Sequence, residues 1–169
     1  TLDWLDGFDI PAPKYIANIN AGFDETSVLL QTKFTDSKLD VFDFYDPKKH
    51  TEVSIERARN AYPPYPGTRL LDTGKTDLKH GHYDIIFLIL AVHEIRENRE
   101  RINFFRQLKL SLAPNGRIII VEHQRDIANF MAFNIGFMHF HSPKTWKENF
   151  ESAGLKLIAV KKLTPFLNI

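Results

Sequence analysis

The feature that most constrains the fold is an unbroken apolar run near the middle of the chain, "YDIIFLILAV" at 83–92. A strand with one face in water alternates polar and apolar residues, whereas a parallel strand covered on both faces reads as a continuous apolar run. The run is too short to cross a bilayer, which takes about 20 residues. The sequence therefore predicts a central parallel strand with helices packed on both of its faces.

Strand and helix signals alternate on either side of this run. The spacing of apolar residues predicts strands at 14–19, 38–46, 69–72, 83–92 and 117–123, and helices at 24–34, 47–61, 98–112 and 142–154. Ser142 is a candidate N-cap for the last helix because a proline follows it. Such alternation is typical of a doubly wound α/β sheet. The final segment, 155–169, instead predicts an antiparallel hairpin that turns at Thr164 and Pro165.

Length and composition restrict the classes of function. The 169 residues suit a single domain, 1–169, with a substantial core. The absence of cysteine excludes disulfides, thiolate zinc sites and a cysteine nucleophile. A formal net charge of +1 provides no long-range attraction to nucleic acid, so we expect neither a nucleic acid nor a membrane as partner. No signal peptide is visible, which favours a cytoplasmic location, and the ends at Thr1 and Ile169 suggest trimming.

A loop with a single glycine follows the first predicted strand. It reads "NINAGFDETS", at 18–27, and many nucleotide-binding folds have a glycine-rich turn at this point. Its one glycine is Gly22, between Asn20 and Asp24. Asn and Asp tolerate left-handed backbone better than other non-glycine residues, so the turn can persist. Their side chains nevertheless fill space that a ligand would need.

The order of elements resembles that of the class I S-adenosylmethionine-dependent methyltransferases. The resemblance extends from about Tyr15 to Ile169 and is most specific in "FFRQLKLSLAPNGRIIIVEH", where Asn115 replaces a glycine of the family. It implies an α/β, Rossmann-like, doubly wound sheet of seven strands in the order 3-2-1-4-5-7-6. That sheet is mostly parallel with an antiparallel C-terminal hairpin. The resemblance also divides the domain into a cofactor half, about 14–90, and a substrate-side half, about 91–169.

The resemblance implies S-adenosylmethionine as cofactor, with S-adenosylhomocysteine as product. The family motif at the end of strand 1 is an acid followed by three glycines at alternate positions. Asn18 stands at the acid position, Asn20 and Asp24 stand at the first and third glycines, and Gly22 is retained. By analogy, Asn18, Asn20 and Gly22 would hold the methionine end of the cofactor.

A carboxylate at the end of the second strand is the next signal. In the family, a carboxylate there accepts both ribose hydroxyls, and Asp43 lies at that position, with Asp46 as the fallback. The alternative is that "DFYDP" caps the following helix, a role that suits Asp46 before Pro47.

Two further positions match the cofactor site of the family. Asp72, with Thr73 beside it, corresponds to the acid near the adenine, and Leu90 at the end of strand 4 is expected to contact the cofactor. An ordinary turn aspartate before Gly74 is an equally good interpretation of Asp72.

Histidines follow the carboxyl ends of strands 4 and 5, where ligands bind in open α/β sheets. A neutral imidazole can remove a proton from an acceptor near pH 7, so His93 and His123 are the candidate catalytic bases. His93 could instead begin a helix and be satisfied by the backbone. A metal site built from His123, Glu122, His139 and His141 is a weak alternative, and no metal is predicted.

The segment 125–140, "RDIANFMAFNIGFMHF", is rich in Phe and Met. It suits the wall of an apolar acceptor pocket, a helix packed on the core, or the interface of a homodimer, and the sequence leaves these open. The mixed-charge runs "ERARNA" at 56–61 and "RENRER" at 96–101 are predicted to be solvated helix faces.

Together these features predict methyl transfer from S-adenosylmethionine to a small-molecule acceptor. The main alternative is a non-catalytic methyltransferase-like domain that binds or regulates a partner, and the two lost motif glycines favour it. A nicotinamide-dependent oxidoreductase is a third possibility. It predicts a tighter glycine fingerprint and no terminal hairpin, and the sequence shows neither.

Overall fold

A computed structural model describes residues 2–8, 10–48, 57, 59–133, 138 and 140–169. The strands are Tyr15–Asn20 (β1), Lys38–Asp43 (β2), Arg69–Leu70 (β3), Tyr83–Ile89 (β4), Leu112–His123 (β5) and Leu167–Asn168 (β6). The α-helices are Ser27–Lys33 (α1), Asn98–Ser111 (α2), Ile127–Phe133 (α3) and Pro143–Ser152 (α4), and 3-10 helices span Asp3–Gly7 and Val92–Glu94. Most of the helix predicted at 47–61 lies outside the described residues, although residues 59–61 are helical.

The strands form one sheet in the order β3-β2-β1-β4-β5-β6. The pairs from β3 to β5 are parallel, and β6 runs antiparallel to β5. This arrangement confirms the predicted doubly wound, mostly parallel sheet with an antiparallel C-terminal hairpin. Ser142 is confirmed as the N-cap of α4, because its side chain accepts a hydrogen bond from the Thr145 N–H.

The predicted strand count of seven is wrong, since the described residues form six strands. Residues 161–163 do pair with 167–169 across a tight turn. Residues 155–160 have no strand structure, and the apolar side chains of Ile158 and Val160 are exposed. A strand at the edge of a sheet is held by packing on its covered face, and this stretch buries too little apolar surface for that.

The core lies on both faces of β4, as its apolar run predicts. Ile86 and Leu88 face one side, in a buried cluster that includes Phe104 of α2. Ile85 and Phe87 face the other side, in a second cluster that includes residues of α1 and the first 3-10 helix. Alternate residues of a strand point to opposite faces, so this strand buries every side chain from 85 to 88. Among the described residues, every helix is too short or too polar to span a membrane.

The segment "APNG", at 113–116, has the proline and glycine typical of a turn between the predicted helix at 98–112 and the predicted strand at 117–123, but it lies inside β5. Tyr83 pairs with Leu112 and Ile85 pairs with Arg117, so the four residues between form a bulge. Asn115 has a left-handed backbone, with φ of 65°, which asparagine tolerates. A Cβ at Gly116 would lie 2.7 Å from the Tyr83 carbonyl oxygen. The sequence signals of Pro114 and Gly116 therefore mark a bulge, which a turn prediction cannot distinguish from a true chain reversal.

Replacing Gly116 by alanine is expected to destabilise the protein by roughly 2 kcal/mol, because backbone atoms of β4 and β5 must move apart. Thermal unfolding should show a midpoint about 4–8 °C lower. Gly7→Ala is the matched control, since a Cβ there meets only the flexible Lys161 side chain, at 3.9 Å. Equal midpoints for the two variants would contradict the close approach at Gly116.

The prediction that "RENRER" forms a solvated face is wrong for its last residue. Arg101, in α2, is 1% exposed, and its side chain reaches Asn149 of α4. Its guanidinium donates to Asn149 Oδ1 at 2.5 Å and to the Ile95 carbonyl at 2.6 Å. A sequence rich in charge does not reveal which single position turns toward a neighbouring helix.

Candidate functional site

The loop after β1 is held by a side chain from within the strand. Asn18 is 1% exposed, and its amide donates to Thr26 Oγ1 and Ser27 Oγ, both at 2.9 Å. Gly22 occupies the left-handed turn, with φ of 99°. Asn18 therefore ties β1 to the start of α1 and lies beneath the loop rather than at its open side.

Two other loop residues have polar atoms without partners in the described part of the chain. Asn20 Oδ1 accepts from the Gly22 N–H at 3.2 Å, and Asp24 Oδ1 accepts from the N–H groups of Thr26 and Ser27 at 3.0 and 2.9 Å. Asn20 Nδ2 and Asp24 Oδ2 are buried, and neither has a hydrogen-bond partner among the described residues. Both residues line a cavity of about 50 Å³. Unpaired buried polar atoms are costly, so this pair indicates a place for a polar ligand group or water.

Asp43 ends β2 on the other side of the same cavity. Its carboxylate is 4% exposed; Oδ1 accepts from the Tyr45 N–H at 2.8 Å, and Oδ2 accepts from Arg59 at 2.5 Å. The Arg59 guanidinium also donates to the Gly22 carbonyl at 3.0 Å and lies over the Tyr45 ring. The prediction that "ERARNA" is a solvated face is therefore wrong for Arg59. Its cation bridges the glycine loop and the end of β2.

A wider groove of about 630 Å³ begins at Asp43 and continues past β3 to Asp72 and Thr73. Asp72 Oδ1 accepts from the Gly74 N–H at 2.8 Å, so it does form the turn that the alternative interpretation describes. Thr73 Oγ1 donates to Glu100 Oε1 at 2.5 Å. Asp43 lines both the small cavity and the groove. Most of the predicted cofactor residues therefore lie along one edge of the sheet.

Leu90 follows the last residue of β4 and lines neither of these two spaces. Its φ is 51°, in the left-handed region that a leucine rarely adopts, and its side chain is 39% exposed. Backbone strain of this kind costs about 1–3 kcal/mol and is concentrated at functional sites.

His93 lies between two carboxylates just beyond β4. Its Nδ1 is 2.7 Å from Glu122 Oε2, and its Nε2 is 3.2 Å from Glu94 Oε1. Burial lowers the pKa of His93, but the charge and hydrogen bond of Glu122, together with those of Glu94, raise it to about 10. The ring is therefore an imidazolium at neutral pH. It has no lone pair to accept a proton, which does not favour the predicted role of His93 as the base.

Glu122, the last but one residue of β5, fixes this arrangement. It is 3% exposed, and its Oε1 accepts from the N–H groups of Ala91, Val92 and His93 at 3.1, 2.8 and 3.3 Å. One carboxylate thus satisfies the start of a 3-10 helix and also pairs with the imidazolium. The strand order explains the contact, because β4 and β5 are neighbours and their carboxyl ends meet.

His123 has a different environment from His93. Its Nδ1 lies 3.1 Å from Asn129 Oδ1 and 3.0 Å from the Phe166 carbonyl oxygen. Both neighbours are acceptors, so Nδ1 is the nitrogen that donates, and Nε2 is the other ring nitrogen. The ring stacks on Phe140 at 4.8 Å, and Phe140 also meets the His93 ring edge-on at 6.2 Å. The structure therefore brings the two predicted histidines together around Phe140.

Of the two histidines of "HFH", only His141 lies within the described residues, and it does not form a metal site there. His139 lies outside the described residues. Burial, followed by the positive charge of Arg101, lowers the pKa of His141 to about 4, so that ring is neutral. Its Nε2 lies 3.1 Å from Arg101 NH1, which can only donate. Within the described part of the chain, no three His, Asp or Glu residues are grouped to hold a metal ion.

No protein-family profile matches the chain, and no curated protein matches it in sequence. Solved structures do. A methyltransferase from Aquifex aeolicus that depends on S-adenosylmethionine superposes with a TM-score of 0.68 at 15% identity, over 99% of this chain and 85% of that one. Human N-acetylserotonin methyltransferase, in complex with S-adenosylmethionine, gives a TM-score of 0.69 at 14% identity, over 97% and 48% of the two chains. The fold is that of the class I methyltransferases.

The same fold occurs in an enzyme described as catalysing a pericyclic reaction. That structure gives a TM-score of 0.65 at 18% identity, over 94% of this chain and 42% of that one. The chain thus spans most of the first structure and about half, or less, of the other two. At these identities the comparisons show the fold, and the chemistry must be argued from the site.

Sequence reasoning missed two residues of this site. Asp24 was recognised as a replaced glycine but not as a carboxylate with a buried oxygen beside the cavity. A sequence signal existed, because the acid of the family motif is missing at Asn18. Arg59 had no such signal, since its contact with Asp43 depends on how the chain folds.

Proposed function

We propose that this domain binds S-adenosylmethionine along the edge of the sheet from the glycine loop to Thr73, and transfers its methyl group to a small-molecule acceptor. The observation that carries the proposal is the meeting of two spaces at Asp43. The smaller space is lined by Asn20 and Asp24, whose Nδ2 and Oδ2 atoms have no hydrogen-bond partner among the described residues, and the larger, of about 630 Å³, has room for a nucleoside. This order suits a ligand with a charged amino-acid end, a ribose and a base.

The residues present fit such a cofactor. Asp43 is a carboxylate at the position where ribose hydroxyls would donate, and Asp72 and Thr73 border the wide end of the groove. Arg59 already takes one lone pair of Asp43, so it must move or share that oxygen when ribose binds. Leu90, with its left-handed backbone, lies at the end of β4, where the proposed cofactor half of the domain meets the proposed substrate-side half.

When bound, S-adenosylmethionine would supply an electrophilic methyl group on a sulfonium. The chain's own contribution is to orient the acceptor and to take its proton. His123 suits the second task better than His93, because its Nδ1 meets two neutral oxygens, whereas both ring nitrogens of His93 face carboxylates. The imidazolium of His93 and its two carboxylates would act as a fixed charged wall beside Phe140.

A non-catalytic ligand-binding domain is the second candidate. Two observations favour it: the guanidinium of Arg59 occupies Asp43, and His93 is held in its protonated form. Both are compatible with a domain that binds a nucleoside ligand without turning it over.

The test is calorimetric titration with S-adenosylmethionine and S-adenosylhomocysteine, followed by an assay for S-adenosylhomocysteine formed in the presence of small hydroxylated aromatic acceptors. We expect a dissociation constant on the order of 10 µM for both ligands and turnover with at least one acceptor class. Binding without turnover across the panel would favour the non-catalytic candidate. No heat with either ligand at about 1 mM, or tighter binding of NADH, would overturn the proposal.

A further inference from the structure

We propose that Asp24 and Asn20 form a clamp for an α-amino-acid zwitterion, in which Asp24 Oδ2 accepts from the ammonium group and Asn20 Nδ2 donates to the carboxylate. This inference rests on the proposed function and assigns the amino-acid end of the cofactor to two named atoms. It makes Asp24 the acid that the loop otherwise lacks.

The position of Asp24 next to Asn18 supports this assignment. The neutral side chain of Asn18 stands where the related motif has an acid. The amide of Asn18 is directed at the start of α1, and its Nδ2 lies 3.4 Å from Asp24 Oδ1. The Asp24 carboxylate is therefore a close neighbour of the Asn18 amide across the loop. A negative charge lost from the strand is supplied, within a few ångströms, from the far side of the turn.

The two oxygens of the Asp24 carboxylate differ in their hydrogen bonds. Oδ1 accepts from the N–H groups of Thr26 and Ser27, which fix the side chain. Oδ2 is buried and has no hydrogen-bond partner among the described residues. A carboxylate oxygen with no partner has a strong tendency to bind a donor, and a cationic donor is the most favourable one.

Asn20, which lines the same cavity, provides a donor that complements the Asp24 acceptor. Asn20 is 6% exposed, and its Oδ1 accepts from the Gly22 N–H, so the orientation of its amide is set. Its Nδ2 group is buried and has no partner in the described part of the chain, and Asn20 lines the same cavity as Asp24. A donor and an anionic acceptor that lack partners among the described residues, on two residues that line one small cavity, match the two ends of an amino-acid head group. A ligand group that only donates or only accepts would leave one of them unsatisfied.

The size of the cavity also supports the clamp. The cavity of about 50 Å³ is too small for a nucleoside, but it suits a compact charged group. Its boundary with the larger groove is Asp43, the proposed ribose residue. The amino-acid end and the nucleoside therefore have separate binding spaces, which makes their contributions separable by experiment.

The test compares two ligands that share the nucleoside and the sulfur. S-adenosylhomocysteine carries the amino-acid end, and 5′-methylthioadenosine lacks it. Asp24→Asn is nearly isosteric and keeps an oxygen for the N–H groups of Thr26 and Ser27, but it removes the charge. In calorimetric titrations we expect this variant to bind S-adenosylhomocysteine about 10- to 100-fold more weakly and methylthioadenosine within about 2-fold of the unmodified chain.

The control variant is Glu25→Gln, which removes the same charge from the neighbouring exposed residue and should leave both affinities within about 2-fold. Equal weakening of both ligands by Asp24→Asn would show that Asp24 only shapes the loop, and unchanged binding of both would show that it makes no contact. Either result overturns the clamp while the proposed function stands. Failure of the unmodified chain to bind either ligand would overturn the proposed function itself.

Discussion

Alanine at Asp43 is expected to weaken binding of S-adenosylmethionine and S-adenosylhomocysteine by at least about 100-fold. Hydrogen bonds to a charged group contribute roughly 1.5–3 kcal/mol each, and two ribose hydroxyls would donate to this carboxylate. The variant also leaves Arg59 without its anionic partner inside the cleft. Calorimetric titration of both ligands measures the effect, with a denaturation curve to show that the variant is folded.

Asp46→Ala is the matched control, because Asp46 is a nearby acid whose Oδ1 accepts from the Lys48 N–H. It should bind both ligands like the unmodified chain. A loss of binding in Asp46→Ala with none in Asp43→Ala would transfer the ribose contact to the fallback residue.

Arg59→Gln should have the opposite effect to Asp43→Ala. It frees Asp43 Oδ2 and the Gly22 carbonyl, so the affinity should rise.

Glutamine at Glu122 is expected to be the most damaging isosteric substitution, at about 3 kcal/mol near pH 7. The glutamine oxygen can still accept from the backbone N–H groups that Glu122 Oε1 now binds. Its amide nitrogen, however, would face Nδ1 of a cationic His93 with a donor in place of an acceptor. The free energy of unfolding, measured by denaturant titration, should fall accordingly.

The stabilisation of the fold by the pair of His93 and Glu122 should also depend on pH. His93 has a folded-state pKa of about 10 against an ordinary value of 6.5, so its protonation stabilises the fold fully below about 6.5. This contribution is lost as the pH rises toward 10. In Glu122→Gln the folded-state pKa of His93 should fall, and the decline in stability over that range should disappear.

Proton NMR of the His93 ring in the two proteins gives a direct reading of its pKa. Glu94→Gln is the graded control. Glu94 contacts the other ring nitrogen at the longer distance of 3.2 Å, so its replacement should lower the pKa of His93 by less than Glu122→Gln does. An unchanged decline in stability between pH 6.5 and 10 in Glu122→Gln would exclude Glu122 as the main partner of the imidazolium.

The parts of the fold that the sequence predicted are those written in local patterns. The continuous apolar run at 83–92 predicted a buried central strand, and Ser142 with its proline predicted the start of α4. The terminal hairpin was predicted from its turn residues, although it pairs only around 161–169. Each of these signals depends on residues close together in the chain, where periodicity and capping are visible.

The contacts that define the site were not predictable in the same way. Arg59 reaches Asp43 and Glu122 reaches His93 across parts of the chain that only the sheet brings together. A histidine can be recognised as a candidate base from its place after a strand. Whether it carries a proton depends on nearby carboxylates, one of which, Glu122, arrives from another strand, and here Glu122 and Glu94 hold His93 in its charged form.

The bulge at 113–116 has a consequence for the site at the opposite end of β5. Beyond the bulge, Ile85 pairs with Arg117 and Ile89 with Val121, which places Glu122 just past the end of β4. Side chains alternate between faces along a strand, so a bulge shorter or longer by one residue would exchange the faces of Glu122 and His123. The bulge therefore works as a spacer. Its length, rather than its chemistry, determines which of two adjacent residues meets the imidazolium.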